Sequence, residues 1–174
     1  MTTNTTTTVA VYGTLRNGYG NHWLWADDPQ CTARPGTHRV AGFAMYSAWN
    51  GGFPYAVPDP ESSIVAELID VTPECMERLD RLEGYPHHYD RKVVTATAED
   101  GSTIEAWMYF ATPSRAREIA AECPLVVSGD WADKARHRNG WDDDDWADDE
   151  EECPDCDGWM DDHDEDCPRV EVSA

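Results

Sequence analysis

The stretch V-A-V-Y-G-T-L-R-N-G, residues 9–18, sets a short apolar run directly ahead of a glycine-bounded loop. Such a loop presents successive backbone N–H groups without side-chain bulk, which suits a carboxylate or an oxyanion. Tyr12, Gly13, Thr14 and Leu15 occupy that junction. An ordinary strand-to-turn transition, with glycine supplying positive φ, is the other reading of the same residues. Much later, Glu83 stands immediately before Gly84 at the end of a helical pattern. The negative end of a helix dipole disfavours a carboxylate, and partial burial acts in the same direction, so both push its pKa up. A carboxyl raised toward neutrality can move protons both ways at cellular pH. A solvated helix-end glutamate has the same local sequence, and the residues by themselves favour that reading.

A third constellation lies near the C-terminus, where Cys153, Cys156, His163 and Cys167 spell C-x2-C-x6-H-x3-C. These are ligand types for a structural zinc ion, and the acidic surroundings would attract a cation. The spacing is not that of the common C-x2-C-x4-H-x4-C knuckle, and little apolar material is available to pack around a metal. An unstructured tail is therefore the competing expectation. Other chemistries are poorly served. Gly13, Gly18 and Gly20 have the wrong spacing for a dinucleotide fingerprint, and no G-K-[ST] is present. Ser128 lacks the G-x-S-x-G elbow. His87 and His88 are adjacent rather than one turn apart, a poor arrangement for a shared metal. Cys75 and Cys123 fall in or beside helical segments, where packing is the usual role.

Four short segments, taken in order, narrow the choice: Y-G-T-L-R-N-G at 12–18, G-G-F-P at 51–54, L-D-R-L-E-G-Y-P-H-H-Y-D-R at 79–91 and S-G-D-W at 128–131. The set resembles the gamma-glutamylcyclotransferase-like family, in particular its small bacterial-type and gamma-glutamylamine cyclotransferase branch, over about residues 8 to 131. This resemblance implies a compact β-barrel with flanking helices and a cavity at one end. It also implies that Glu83 is the catalytic residue. Gly13, Thr14 and Leu15 would bind the substrate through their amides; Tyr12 and Tyr89 would contact it from beside the pocket, with core packing as the other reading of these two tyrosines. Arg91 could orient substrate or serve as a structural ion-pair partner. Phe53-Pro54 and Ser128–Trp131 would shape the fold.

The implied reaction needs no cofactor in the core. A γ-glutamyl amide carries its own nucleophile, the α-amino group, and its attack on the γ-carbonyl closes a five-membered lactam, 5-oxoproline, with release of an amine. Holding the two groups in register supplies much of the rate, with effective molarities of about 10⁵–10⁸ M in well-oriented systems. Glu83 would take the ammonium proton and return it to the departing amine, while the loop amides would hold a carboxylate or the developing oxyanion. The competing expectation is a noncatalytic interaction protein that keeps the pocket and engages a basic partner through its acidic tail.

The elements that would position these residues have a mixed α/β rhythm, and an α+β fold follows: a small mixed or antiparallel β-barrel with flanking helices, then a disordered acidic tail. Strand patterns cover Val9–Tyr12, Thr37–Tyr46, Ile64–Asp70, Arg91–Ala98 and Ile104–Phe110, with 98–102 as a hairpin turn. Tyr55–Pro58, punctuated by proline, reads as edge or loop. One helix should start at Thr72 as N-cap with Pro73 at its first position, and stop at Gly84. Met76, Leu79 and Leu82 would form its buried face. A second runs from about Ser114 to Glu122.

The chain of 174 residues has a formal charge of −22, unevenly spread. Between Asp142 and Cys167 there are sixteen acidic residues and no Lys or Arg; before Asp142, eighteen acidic and twelve basic residues give a net of −6. Residues 1–8 read as a disordered lead-in, 9–141 as the folded domain and 142–174 as a tail that cannot offset its ordering entropy by burial. Clustered Lys and Arg for phosphate contact are missing, so nucleic acid and anionic membrane surfaces are not expected partners. The threonine-rich start has neither the basic nor the apolar region of a signal peptide, and the scattered cysteines do not form a disulfide framework, so a reducing cytoplasm is expected.

Overall fold

A computed structural model describes residues 6–48 and 51–133. Their order is β1 (Thr7–Val11), α1 (Trp23–Ala26), β2 (Thr32–Ala33), β3 (His38–Ser47), β4 (Pro54–Val71), α2 (Pro73–Glu83), β5 (Tyr89–Thr97), β6 (Thr103–Ala111) and α3 (Pro113–Glu122). The six strands form one sheet in the order β1-β6-β5-β3-β4-β2, and a second pairing of β1 with β4 closes it into a ring. Two seams of this ring are thin. β1 and β6 run parallel and share the single registered pair Val9 with Trp107, and β3 meets β5 only at Arg39–Thr97 and Val40–Ala96. The expected barrel is therefore a closed but irregular ring.

Alternation along β1 divides the packing. Val9 and Val11 face a cluster that includes Ile69, Val71, Met76, Leu79 and Ile119, which draws in α2 and α3. Ala10 and Tyr12 face the other cluster, with Val40, Phe43, Ile64, Leu68, Met108 and Trp131. The period of two puts successive side chains on opposite faces, so one strand serves both cores and delivers its end to the pocket.

Strand β1 starts at Thr7, inside the segment expected to be a disordered lead-in. Thr7 and Thr8 pair with Val71 and Asp70, and the Thr8 hydroxyl donates to Asp70 at 2.7 Å. Tyr55–Pro58 is not a loop but the start of the 18-residue strand β4, with Pro54 to Val57 buried; among the described residues it pairs with β3 alone, so it is an edge as expected. The prolines are tolerated for positional reasons. Pro54 is the first residue of the strand, and Pro58 pairs with Phe43 beside the register shift between Ala41 and Phe43. The expected helices are present, with α3 beginning at Pro113. In α2, Thr72 accepts from the Cys75 amide at 3.1 Å and Gly84 adopts φ 62° as the C-cap. Leu82 is corrected: it is 42 % exposed and lies at the pocket instead of joining Met76 and Leu79 in the core. The boundary expected near residues 135 to 141, the acidic tail and its zinc candidates Cys153, Cys156, His163 and Cys167 lie outside the described residues.

Candidate active site

One pocket of about 270 Å³ collects residues from every motif segment except 128–131, among them Tyr12 to Leu15, Phe53, Pro54, Glu83 and Tyr89. Its floor is the loop after β1. Three carbonyls of that loop are occupied: Gly13 accepts from the Arg16 amide at 3.0 Å, Thr14 from the Asn21 amide at 2.9 Å, and Leu15 from the Trp25 indole N–H at 2.8 Å. Asn21 also donates from Nδ2 to the Thr14 hydroxyl at 2.9 Å. Among the described residues, the N–H groups of Gly13, Thr14 and Leu15 find no acceptor. Fixed carbonyls with unspent amides are an arrangement that can receive a negative oxygen with little rearrangement of the donors.

Gly13 is glycine for a reason other than positive φ, the property allowed for in the turn reading. A β-carbon there would lie 2.6 Å from Cγ and Cδ of Pro54. Pro54 in turn offers its carbonyl to the Tyr89 hydroxyl at 3.2 Å. The G-G-F-P segment thus holds the loop on one side and Tyr89 on the other.

Beyond Leu15 the loop is anchored by Arg16, which is 5 % exposed. Its Nε pairs with Glu67 at 3.0 Å and its Nη1 with Asp130 at 2.6 Å, while the other Glu67 oxygen accepts from the Asn17 amide at 2.9 Å. Asp130 comes from S-G-D-W, whose Gly129 accepts from the Val65 amide and has no room for a β-carbon against the Ser63 carbonyl. This fourth segment supports the loop from outside the pocket, in keeping with the shaping role expected of it.

Glu83 is the last residue of α2 and is half-buried at the pocket wall. Loss of hydration on burial raises its pKa from an ordinary 4.5 to about 7, the direction expected. Among the described residues no hydrogen bond or ion pair reaches its carboxylate. Three buried tyrosines share its field. Burial and then the Glu83 charge hold the Tyr12 phenol well above its ordinary value, with the Ala56 backbone opposing; for Tyr89, burial and the charge of Tyr12 come ahead of Glu83. Tyr109 is raised by burial, by donating to Asp80 at 2.6 Å, and by the nearby Glu83. All three phenols therefore stay protonated around a carboxyl poised near neutrality.

Tyr109 and Asn21 are pocket residues that the sequence motifs did not single out. Alternation along β6 sets Tyr109 on the face of exposed Glu105 and Trp107 and so gave no signal for it, and the loop closing on Thr14 was legible for Asn21 only in three dimensions. Arg91 lies outside the pocket lining, where it pairs with Asp80 at 3.1 Å and stacks over Tyr85 and Trp107. Since Asp80 also accepts from Tyr109, Arg91 braces the end of α2 that carries Glu83.

A family model described as gamma-glutamyl cyclotransferase, AIG2-like, matches residues 9–133. A candidate gamma-glutamylcyclotransferase from Methanocaldococcus jannaschii is 35 % identical over 127 residues, covering 72 % of this chain and 95 % of that protein. Another from Drosophila melanogaster is 33 % identical over 124 residues, covering 69 % of this chain and 78 % of its own length. Among solved structures, an AIG2-like protein from Mus musculus superposes with a TM-score of 0.60 at 23 % identity, over 69 % of this chain and 85 % of that one. A protein from Pyrococcus horikoshii gives 0.54 at 23 % identity, over 78 % and 98 %. These two show that the ring with its helices is a shared fold.

Proposed function

This chain belongs to the gamma-glutamyl cyclotransferase, AIG2-like family, and from that premise we propose that it cyclises a small γ-glutamyl amine or amide to 5-oxoproline, with Glu83 as general acid and base. Support comes chiefly from one juxtaposition: a carboxyl with a pKa of about 7 and three unspent amides share a single pocket. In this reading the amides of Gly13, Thr14 and Leu15 receive the substrate's carboxylate or the oxyanion that forms on the γ-carbonyl. Glu83, as carboxylate, accepts a proton from the α-ammonium. The freed nitrogen attacks the γ-carbonyl carbon, an N–C bond forms, and collapse of the tetrahedral adduct breaks the bond to the departing amine. Two protons pass from the attacking to the departing nitrogen overall, so the lactam and an ammonium product leave with no net proton change.

A pKa near the working pH populates both forms of Glu83, the condition for taking a proton and giving it back. A volume of about 270 Å³ suits a γ-glutamyl head group, with the amine projecting outward. A reducing, cytoplasmic setting accompanies this reading, supported by the free thiols of Cys31, Cys75 and Cys123. Among the described residues no helix is long and apolar enough to cross a membrane. The test is direct: the full chain is incubated with a panel of γ-glutamyl amines and dipeptides while 5-oxoproline is measured. Release from none of them overturns the reading.

A further inference from the structure

Beside the pocket wall sits a cation that this chemistry leaves unused. Arg115, near the start of α3, is half-buried, and its Nη2 donates to the Tyr55 hydroxyl at 3.3 Å while the guanidinium lies over the Tyr55 ring at 5.3 Å. Tyr55 stacks on Tyr89 at 5.9 Å and makes a T-shaped contact with Phe53 at 5.2 Å, and both of those residues line the pocket. On its other side Arg115 Nη1 stands 3.1 Å from His88 Nδ1. His88 packs on the backbone directly after Glu83, so closely that a β-carbon on Gly84 would meet it at 2.9 Å. The positive charge is also felt within the pocket, where it opposes the rise of the Tyr89 pKa.

Arg115 differs from its counterparts in its partners. Every other buried or half-buried arginine among the described residues has a carboxylate: Arg16 at 2.6 and 3.0 Å, Arg34 at 2.9 Å, Arg78 at 3.1 Å and Arg91 at 3.1 Å. Arg115 has none within ion-pair distance among the described residues. A partly desolvated guanidinium without a counter-charge is unfavourable until an anion arrives, and its planar fork matches a carboxylate. Among the described residues Glu83 is the one acid lining the pocket, so a departing group bearing extra ammonium charge would find repulsion at Arg115 and no second carboxylate among those residues.

We propose that Arg115, flanked by His88, receives a carboxylate carried by the departing amine, so that the substrates are γ-glutamyl amino acids or peptides and not γ-glutamyl polyamines. This rests on the cyclotransferase reading above and narrows its substrate class. Arg115 is a specificity residue here, contacting the departing group and taking no part in proton transfer.

Two matched pairs test it, each differing by one carboxylate: γ-glutamyl-alanine against γ-glutamyl-ethylamine, and Nε-γ-glutamyl-lysine against γ-glutamyl-cadaverine. The wild-type chain is expected to favour the carboxylate-bearing member of at least one pair by ~10–100-fold in kcat/KM, the range of a charge-assisted contact. Arg115→Gln should bring that ratio to near one by slowing the carboxylate-bearing member alone, and Arg115→Lys should restore part of it. A wild-type ratio near one in both pairs overturns the subsite and leaves the cyclotransferase reading standing. Equal slowing of both members by Arg115→Gln, in a chain folded by circular dichroism, reduces Arg115 to a brace for Tyr55 and also overturns it. Should that variant fail to fold, the wild-type ratios and Arg115→Lys decide. Release of 5-oxoproline from no substrate overturns both readings together.

Discussion

Gly13 and Pro54 stand so close that a β-carbon on the first would lie 2.6 Å from two ring carbons of the second. That approach presses the amide-bearing loop against the start of β4, and it makes residue 13 a test of the loop's role. Gly13→Ala must displace either Pro54 or the loop. A displacement of about 1 Å in a positioned site costs about 10²-fold in rate, so kcat/KM for 5-oxoproline release should fall by about that factor in a chain that still unfolds cooperatively. A rise confined to KM would identify the amides with the substrate's carboxylate, and a fall confined to kcat with the oxyanion. Unchanged kinetics would return the segment to a plain turn.

Glu83→Gln keeps the shape of the side chain and removes its proton chemistry. Loss of general acid–base catalysis costs about 10²–10⁴-fold, and turnover should fall within that range while circular dichroism stays unchanged. A folded variant with near-normal turnover would remove Glu83 from the mechanism.

Acidity should be read directly from the wild-type chain. With the Glu83 pKa raised to about 7, the base form is lost as pH falls through that value, and kcat/KM should climb on its acid limb around pH 7 and not around 4.5. A limb at pH 4 to 5 would mean that the working carboxyl is fully hydrated.

The same shift has a consequence for stability. A carboxyl whose folded pKa exceeds its unfolded one favours the fold below about pH 4.5, and that contribution is lost as pH rises toward about 7. Glu83→Gln should match the wild type in denaturant midpoint near pH 4. Above pH 7.5 its unfolding free energy should exceed that of the wild type by roughly 3 kcal/mol. A difference that does not change with pH would argue against a desolvated carboxyl.

How far the sequence reached depended on how local the determinants were. Helix α2 was legible to its ends because Thr72, Pro73 and Gly84 act within one turn of themselves. The start of β4 was legible only as an edge or a loop, because Pro58 does not choose between them until its partner Phe43 and the neighbouring register shift are known. Leu82 continued the apolar spacing of Met76 and Leu79, yet periodicity does not say that the final turn of a helix overhangs a pocket instead of a core. The free amides at 13–15 were anticipated from the glycine-bounded loop. The groups that keep their carbonyls occupied, Asn21 and Trp25, and the anchor Arg16 depend on contacts that no motif spells out.

Residues 142–174 carry most of the formal charge of −22, and the family match ends at residue 133. A chain ending at Trp141, with a net charge of −6, should release 5-oxoproline as fast as the full chain. Any zinc measured in the full chain by elemental analysis should be missing from the shortened one. Loss of turnover on shortening would place part of the tail in the working enzyme.

The bond between Arg16 and Asp130 joins residues 114 positions apart. Contacts of such sequence separation form late, because a long loop must close before they contribute. On a translating ribosome, the receptor loop near the N-terminus is made early but has no anchor until the segment after α3 has emerged. A nascent chain arrested at the end of α3 would hold Glu83 and all three amides and still lack activity. Competence would switch on only as residues 128–131 clear the ribosome, which translation arrested at successive codons well beyond Trp131 could observe.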